Sequence, residues 1–109
     1  MATWKAVERA IARLLGGRRV PVSGRQRGDA PDIEHPFFSL EVKHRKELPD
    51  WILDAMEQAK SSKTGDKIPM VILHKKNTKF ENSLAVLEIR DIIAIVARMK
   101  TAEEALEVK

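Results

Sequence analysis

The sequence predicts a mixed α/β fold: one domain over residues 1–109, with a central mixed five-stranded sheet flanked by helices. Three observations lead there. Apolar residues recur at three- and four-residue spacing in three separated segments, the mark of amphipathic helices. Between them lie short runs that either alternate with period 2 or are continuously apolar, as strands do. Their order along the chain is α-β-β-β-α-β-β-α, which suits helices packed on one sheet.

The first helix covers residues 3–15, with Trp4, Val7, Ile11 and Leu14 on one stripe. Thr3 is its N-cap, Gly16-Gly17 stops it, and Glu8 lies one turn from Trp4 at the stripe's edge. Residues 18–22 (Arg-Arg-Val-Pro-Val) form a short strand that Pro21 confines to a sheet edge. Residues 23–31 carry Gly, Ser and Pro and read as a basic loop. A hairpin follows: Asp32-Ile33-Glu34, a His35-Pro36 turn, then Phe37 to His44. In its second strand Phe38, Leu40 and Val42 alternate with Ser39, Glu41 and Lys43, giving one apolar and one polar face.

Leu48-Pro49-Asp50 opens a second helix, Asp50 acting as N-cap, which runs to about Ser62 with Ile52, Ala55, Met56 and Ala59 inward. After a polar turn at 63–67, the apolar run Pro69 to His74 suggests a strand buried on both faces. Lys75 to Asn82 is a basic turn and Ser83 to Leu87 the last strand. A closing helix spans Asp91 to Lys100, and the acidic tail 101–109 either extends it or frays.

Composition narrows the functions. The 109 residues hold no cysteine, which excludes disulfides, thiolate metal sites and a cysteine nucleophile. No run approaches the roughly 20 apolar residues of a membrane span, and the N-terminus has no secretory pattern. The net charge of +4 is unevenly spread. Residues 1–30 hold seven Lys/Arg against Glu8 and Asp29, residues 31–50 are net acidic, and residues 51–80 carry six lysines against three acids. An acidic stretch between two basic ones suits a polyanion gripped while a cation works on it; the plainer alternative is a solvated surface of mixed charge.

The chemistry centres on Pro31-Asp32 followed, after eight intervening residues, by Glu41-Val42-Lys43. On a strand Glu41 and Lys43 project from one face, and a hairpin can bring Asp32 alongside. Two converging carboxylates make a hard-oxygen site for Mg²⁺ or Mn²⁺. Such an ion polarises a phosphate and generates a hydroxide, while a lysine orients water or offsets charge on phosphorus. Those are the parts phosphodiester hydrolysis needs. A surface ion pair is the alternative for Glu41 and Lys43, and Glu34, which shares the Asp32 face, is the competing acid, with Asp29 behind it.

This order and spacing resemble the PD-(D/E)xK nuclease superfamily, through Pro31-Asp32 and Glu41-Val42-Lys43. The resemblance implies a restriction-endonuclease-like core. It also assigns Glu8 to the metal site beside Asp32 and Glu41, and gives Gln58, on the helix after the motif, a catalytic role. Small size, Glu8 and the basic loop with Ser23 look most like archaeal-type Holliday junction resolvases, including phage members. That implies a homodimer making paired, Mg²⁺-dependent nicks in a four-way DNA junction, in the cytoplasm, at the nucleoid or in a phage host. Arg18, Arg19, Ser23, Arg25, Arg27, Lys75 and Lys76 are the candidate DNA contacts, with Lys79 similar. The alternatives are a repair or restriction-type nuclease, and a non-catalytic DNA-binding module. His35 suits a structural role, His44 and His74 lack metal-ligand spacing, and Trp4 and Trp51 suit core or interface.

Overall fold

The computed structural model describes residues 3–21 and 31–107. They fall in two compact units, Met1–Lys46 and Glu47–Lys109.

The first unit begins with α1, Trp4–Leu15. Its start is fixed by the Thr3 hydroxyl, which accepts the Ala6 N–H at 3.1 Å and satisfies one of the first-turn donors. Its end is fixed by Gly16, left-handed at φ 76°, a conformation an L side chain resists. Three strands follow: β1 (Arg18–Arg19), β2 (Ile33–Glu34) and β3 (Ser39–Leu40). They pair antiparallel in the order β1-β2-β3, with Arg19 opposite Ile33 and Ile33 opposite Leu40. Helix α1 packs on β1 and β2. Ile33, on the central strand, is fully buried, and with Ala12 of α1 it forms this unit's core among the described residues. Burying a side chain of that size is worth about 1.5–3 kcal/mol. His35 ties the β2–β3 turn to the helix. Its Nδ1 accepts the Phe37 N–H at 3.1 Å, so the Nε2–H donates to the Leu15 carbonyl at 2.9 Å. The ring stacks on Phe38.

The second unit holds α2 (Asp50–Ser62), β4 (Val71–Leu73), a 3-10 turn (Phe80–Asn82), β5 (Leu84–Val86) and α3 (Ile89–Glu107). Strands β4 and β5 form an antiparallel pair with Ile72 opposite Ala85. Asn77 turns the chain after β4 in the left-handed region, which asparagine tolerates better than most residues. Met56 of α2 and Val96 of α3 are this unit's buried hydrophobics. No helix among the described residues is long and apolar enough to cross a membrane.

The predicted five-stranded mixed sheet is wrong. The strands form a three-stranded and a two-stranded sheet, both antiparallel. Alternation and apolar runs show which face a side chain takes, but not which strand lies beside it. Strand β4 is predicted to be buried on both faces; Ile72 is instead 59% exposed, while Val71 and Leu73, on the opposite face, are half-buried, so β4 is covered on one face alone. Asp50 is the first residue of α2 rather than its cap, a place taken by Pro49 with no side-chain hydrogen bond. The closing helix starts at Ile89 and absorbs the acidic tail as far as Glu107.

Candidate active site

Two acids are buried among the described residues, Glu8 (4% exposed) and Asp32 (9%). Both belong to the first unit, and both are predicted metal ligands. Burying a carboxylate is costly unless a cation or hydrogen-bond donors compensate it. The compensation differs at the two positions.

Asp32 precedes β2, and its backbone continues the ladder on both sides. Its N–H donates to the Leu40 carbonyl and its C=O accepts from Val20, each at 2.9 Å. Its side-chain Oδ2 accepts the N–H of Val42 at 2.7 Å, the short distance typical of a charged acceptor. Val42 is the middle residue of Glu41-Val42-Lys43, so the acid of the Pro-Asp pair is bonded directly to the triplet's backbone. This bond also explains a departure from the predicted strand. The Val42 N–H goes to a side chain instead of a neighbouring strand, and β3 ends at Leu40. Glu41 and Lys43 therefore lie just past the strand, both exposed.

Glu8 sits in the middle of α1, and its Oε2 accepts from Arg19 Nε at 3.1 Å. Both side chains are largely withdrawn from water, at 5% and 13% exposure. The Arg19 guanidinium lies 5.4 Å from the Trp4 ring centre, within cation–π range. Its Nη2 is buried without a hydrogen-bond partner among the described residues. Arg19, predicted to contact DNA, is thus engaged with Glu8 inside the fold. Helix and strand geometry bring the two together. Gly16-Gly17 reverses the chain, and three residues of strand run back roughly 10 Å along α1, about seven helical residues. Seven residues before Leu15 is Glu8.

The other predicted residues divide by place. Arg18 is exposed and pairs across the ladder with Glu34 at 2.7 Å, a surface contact worth about 0–1 kcal/mol. That pairing occupies Glu34, the competing acid. Lys75 and Lys76 are exposed in the turn after β4. Gln58 is exposed on α2, in the second unit. Ser23, Arg25, Arg27 and Asp29 lie outside the described residues.

Carboxylate oxygens are the donors that Mg²⁺ and Mn²⁺ prefer, so the chemistry of Glu8, Asp32 and Glu41 fits such an ion. Among the described residues, no three His, Asp or Glu side chains group closely enough to enclose one. Sequence reasoning missed the Glu8–Arg19 pair, although the double glycine after an amphipathic helix was the signal for it. It also missed the ion pairs that Glu88 makes with Lys60 at 3.5 Å and Arg90 at 3.8 Å. Comparison of the chain with protein-family models, characterised proteins and solved structures returns no match.

Proposed function

We propose that this chain is a metal-dependent endonuclease that hydrolyses DNA phosphodiesters, with four-way junctions as the favoured substrate. The observation that carries the proposal is the 2.7 Å bond from Val42 N–H to Asp32 Oδ2. It joins the Pro-Asp acid to the Glu-x-Lys triplet, two motifs selected from sequence on chemical grounds.

In this reading Glu8, Asp32 and Glu41 are the residues that would hold Mg²⁺ or Mn²⁺. The ion, when bound, would polarise the scissile phosphate and acidify a water. Asp32 is held in one rotamer by its backbone bond, so its remaining oxygen has a fixed direction. Lys43, exposed and next in sequence to the Val42 that bonds Asp32, would meet the phosphate and offset charge that builds on it. Arg18, Lys75 and Lys76 are exposed and suit backbone phosphates, and Ser23, Arg25 and Arg27 complete the proposed DNA contacts. Paired nicks need two active sites, hence a homodimer. Such an enzyme would act where DNA is, in the cytoplasm or at the nucleoid.

A non-catalytic DNA-binding module is the second reading, favoured by the Arg19–Glu8 ion pair, which already neutralises one proposed metal ligand. One experiment separates the two. Wild type and Asp32→Asn are incubated with Mg²⁺ and a four-way junction, a flap, a nicked duplex and plain duplex. The nuclease reading expects wild type to nick the junction symmetrically, and Asp32→Asn to bind but not cut. Equal cutting by both proteins would defeat the assignment of Asp32. Binding without cutting by wild type in Mg²⁺ and Mn²⁺ would leave the binding module.

A further inference from the structure

The second unit contains a cleft that the proposed active site does not use. It is a cavity of about 530 Å³ whose walls carry five cations: Lys60, Lys63, Lys67, Arg90 and Arg98. Three carboxylates, Asp66, Glu88 and Asp91, share it, leaving an excess of two positive charges. Glu88 is already committed, since Lys60 and Arg90 both pair with it. Lys63 gives one of its three N–H groups to the Gly65 carbonyl at 3.0 Å. Among the described residues no ion pair engages Lys67 or Arg98. Lys60 also pairs with Glu57 outside the cleft, so the excess positive charge rests chiefly on Lys63, Lys67 and Arg98.

Its dimensions select a ligand. Arg90 and Arg98 both line the cleft and are eight residues apart on α3, about 12 Å along the axis at 1.5 Å per residue. One phosphate spans far less. Along a duplex axis each strand advances about 3.4 Å per nucleotide, so a 12 Å span parallel to that axis corresponds to three to four nucleotide steps. Lys60 and Lys63 approach from α2 and its end, and Lys67 from the segment leading to β4. The basis is thus a row of cations drawn from three segments, matched to a repeating anion.

We propose that this cleft is a separate anchoring site for the phosphodiester backbone of DNA, gripped chiefly by Lys63, Lys67 and Arg98. The choice of DNA rests on the nuclease reading; the electropositive cleft does not. Such a site adds affinity without sequence preference, because it reads backbone charge and spacing. Lys63, Lys67 and Arg98 are distinct from every DNA contact assigned above.

The test is binding of a fluorescent duplex by the full chain without divalent metal, across a salt series. The variants are the triple Lys63→Gln/Lys67→Gln/Arg98→Gln and the charge-preserving triple Lys63→Arg/Lys67→Arg/Arg98→Lys. Removing three phosphate contacts should reduce the slope of log K against log salt by about 2.7 and weaken binding roughly a hundredfold at 0.1 M salt. The charge-preserving triple should retain the wild-type slope. Circular dichroism shows whether each variant is folded. Wild-type slope and affinity in the neutral triple would overturn the proposal, as would equal loss in both triples or no binding by wild type. A parallel titration with inorganic phosphate separates the sources of the anion. Saturable phosphate binding lost in the neutral triple, with DNA affinity unchanged, would also overturn it. Failure here is distinct from failure of the nuclease reading: a wild type that cuts DNA while the neutral triple binds normally defeats only the cleft, and one that binds through the cleft without cutting defeats only the nuclease.

Discussion

Replacing Arg19 with methionine removes the cation that faces the buried Glu8 carboxylate while keeping much of the side chain's apolar length. Glu8 and Arg19 are 5% and 13% exposed, so water screens their interaction little. Breaking a buried pair by deleting one partner costs about 3–5 kcal/mol. The lower end applies here, because Arg19 Nη2 has no partner among the described residues and the native guanidinium is itself incompletely satisfied. The expected loss is therefore about 3 kcal/mol, a large part of the ~5–15 kcal/mol that holds a typical domain. With a urea slope of about 1.5 kcal/mol/M, the midpoint should fall by ~2 M. Trp4 is a local reporter, since Arg19 lies against its ring. A Trp51→Phe background makes it the sole tryptophan, because the chain has two. The double variant Glu8→Leu/Arg19→Met should regain most of the loss, as apolar replacement of a buried pair is often neutral or stabilising. A loss below about 1 kcal/mol in Arg19→Met, or a double variant no more stable than the single, would refute the claim that this pair holds the first unit together.

The remaining predictions concern the same unit. Asp32→Ala should be about 1 kcal/mol less stable than Asp32→Asn, because asparagine keeps an acceptor for the part-buried Val42 N–H and alanine does not; chemical denaturation of the two measures it. Gly17→Ala should cost at least about 2 kcal/mol, since the added methyl would stand 2.5 Å from the Glu34 carbonyl oxygen and 2.7 Å from Ile33 Cγ2. Gly16→Ala meets no atom within 4 Å and should cost only the left-handed backbone, about 1–2 kcal/mol; equal melting temperatures for the two glycine variants would contradict this account. Thr3→Ala should lose about 1 kcal/mol by uncapping α1, seen as lower helicity and a lower midpoint.

Local chemistry made part of this structure legible in the sequence. Helix α1 begins at a capping hydroxyl and ends at a glycine, and both signals lie within a few residues of what they control. The link between Asp32 and the triplet also followed from spacing, because a hairpin closes over a short stretch of chain. What failed was non-local. Nothing in Val71 to Leu73 states that β5 is its only strand partner among the described residues, and the expectation of a strand buried on both faces meets an Ile72 largely in water. Glu41 and Lys43 were placed on a strand by alternation. Alternation is blind to a side chain that takes a ladder hydrogen bond, as Asp32 does. Arg19 reads as a surface cation in the sequence, but the strand that bears it returns along α1 and brings it to Glu8.

The small cores set how the molecule breathes. Each unit draws its buried hydrophobic material from only two described side chains, Ala12 and Ile33 in one, Met56 and Val96 in the other. A two-stranded hairpin such as β4–β5 is marginal by itself. Amide exchange should therefore rank the strands. Ile33, with its side chain fully buried and its strand paired on both sides, should exchange slowest, and the amides of β4 and β5 should reach deuterium first through local opening. Proteolysis would then begin in the second unit, while the segment bearing Asp32 stays protected.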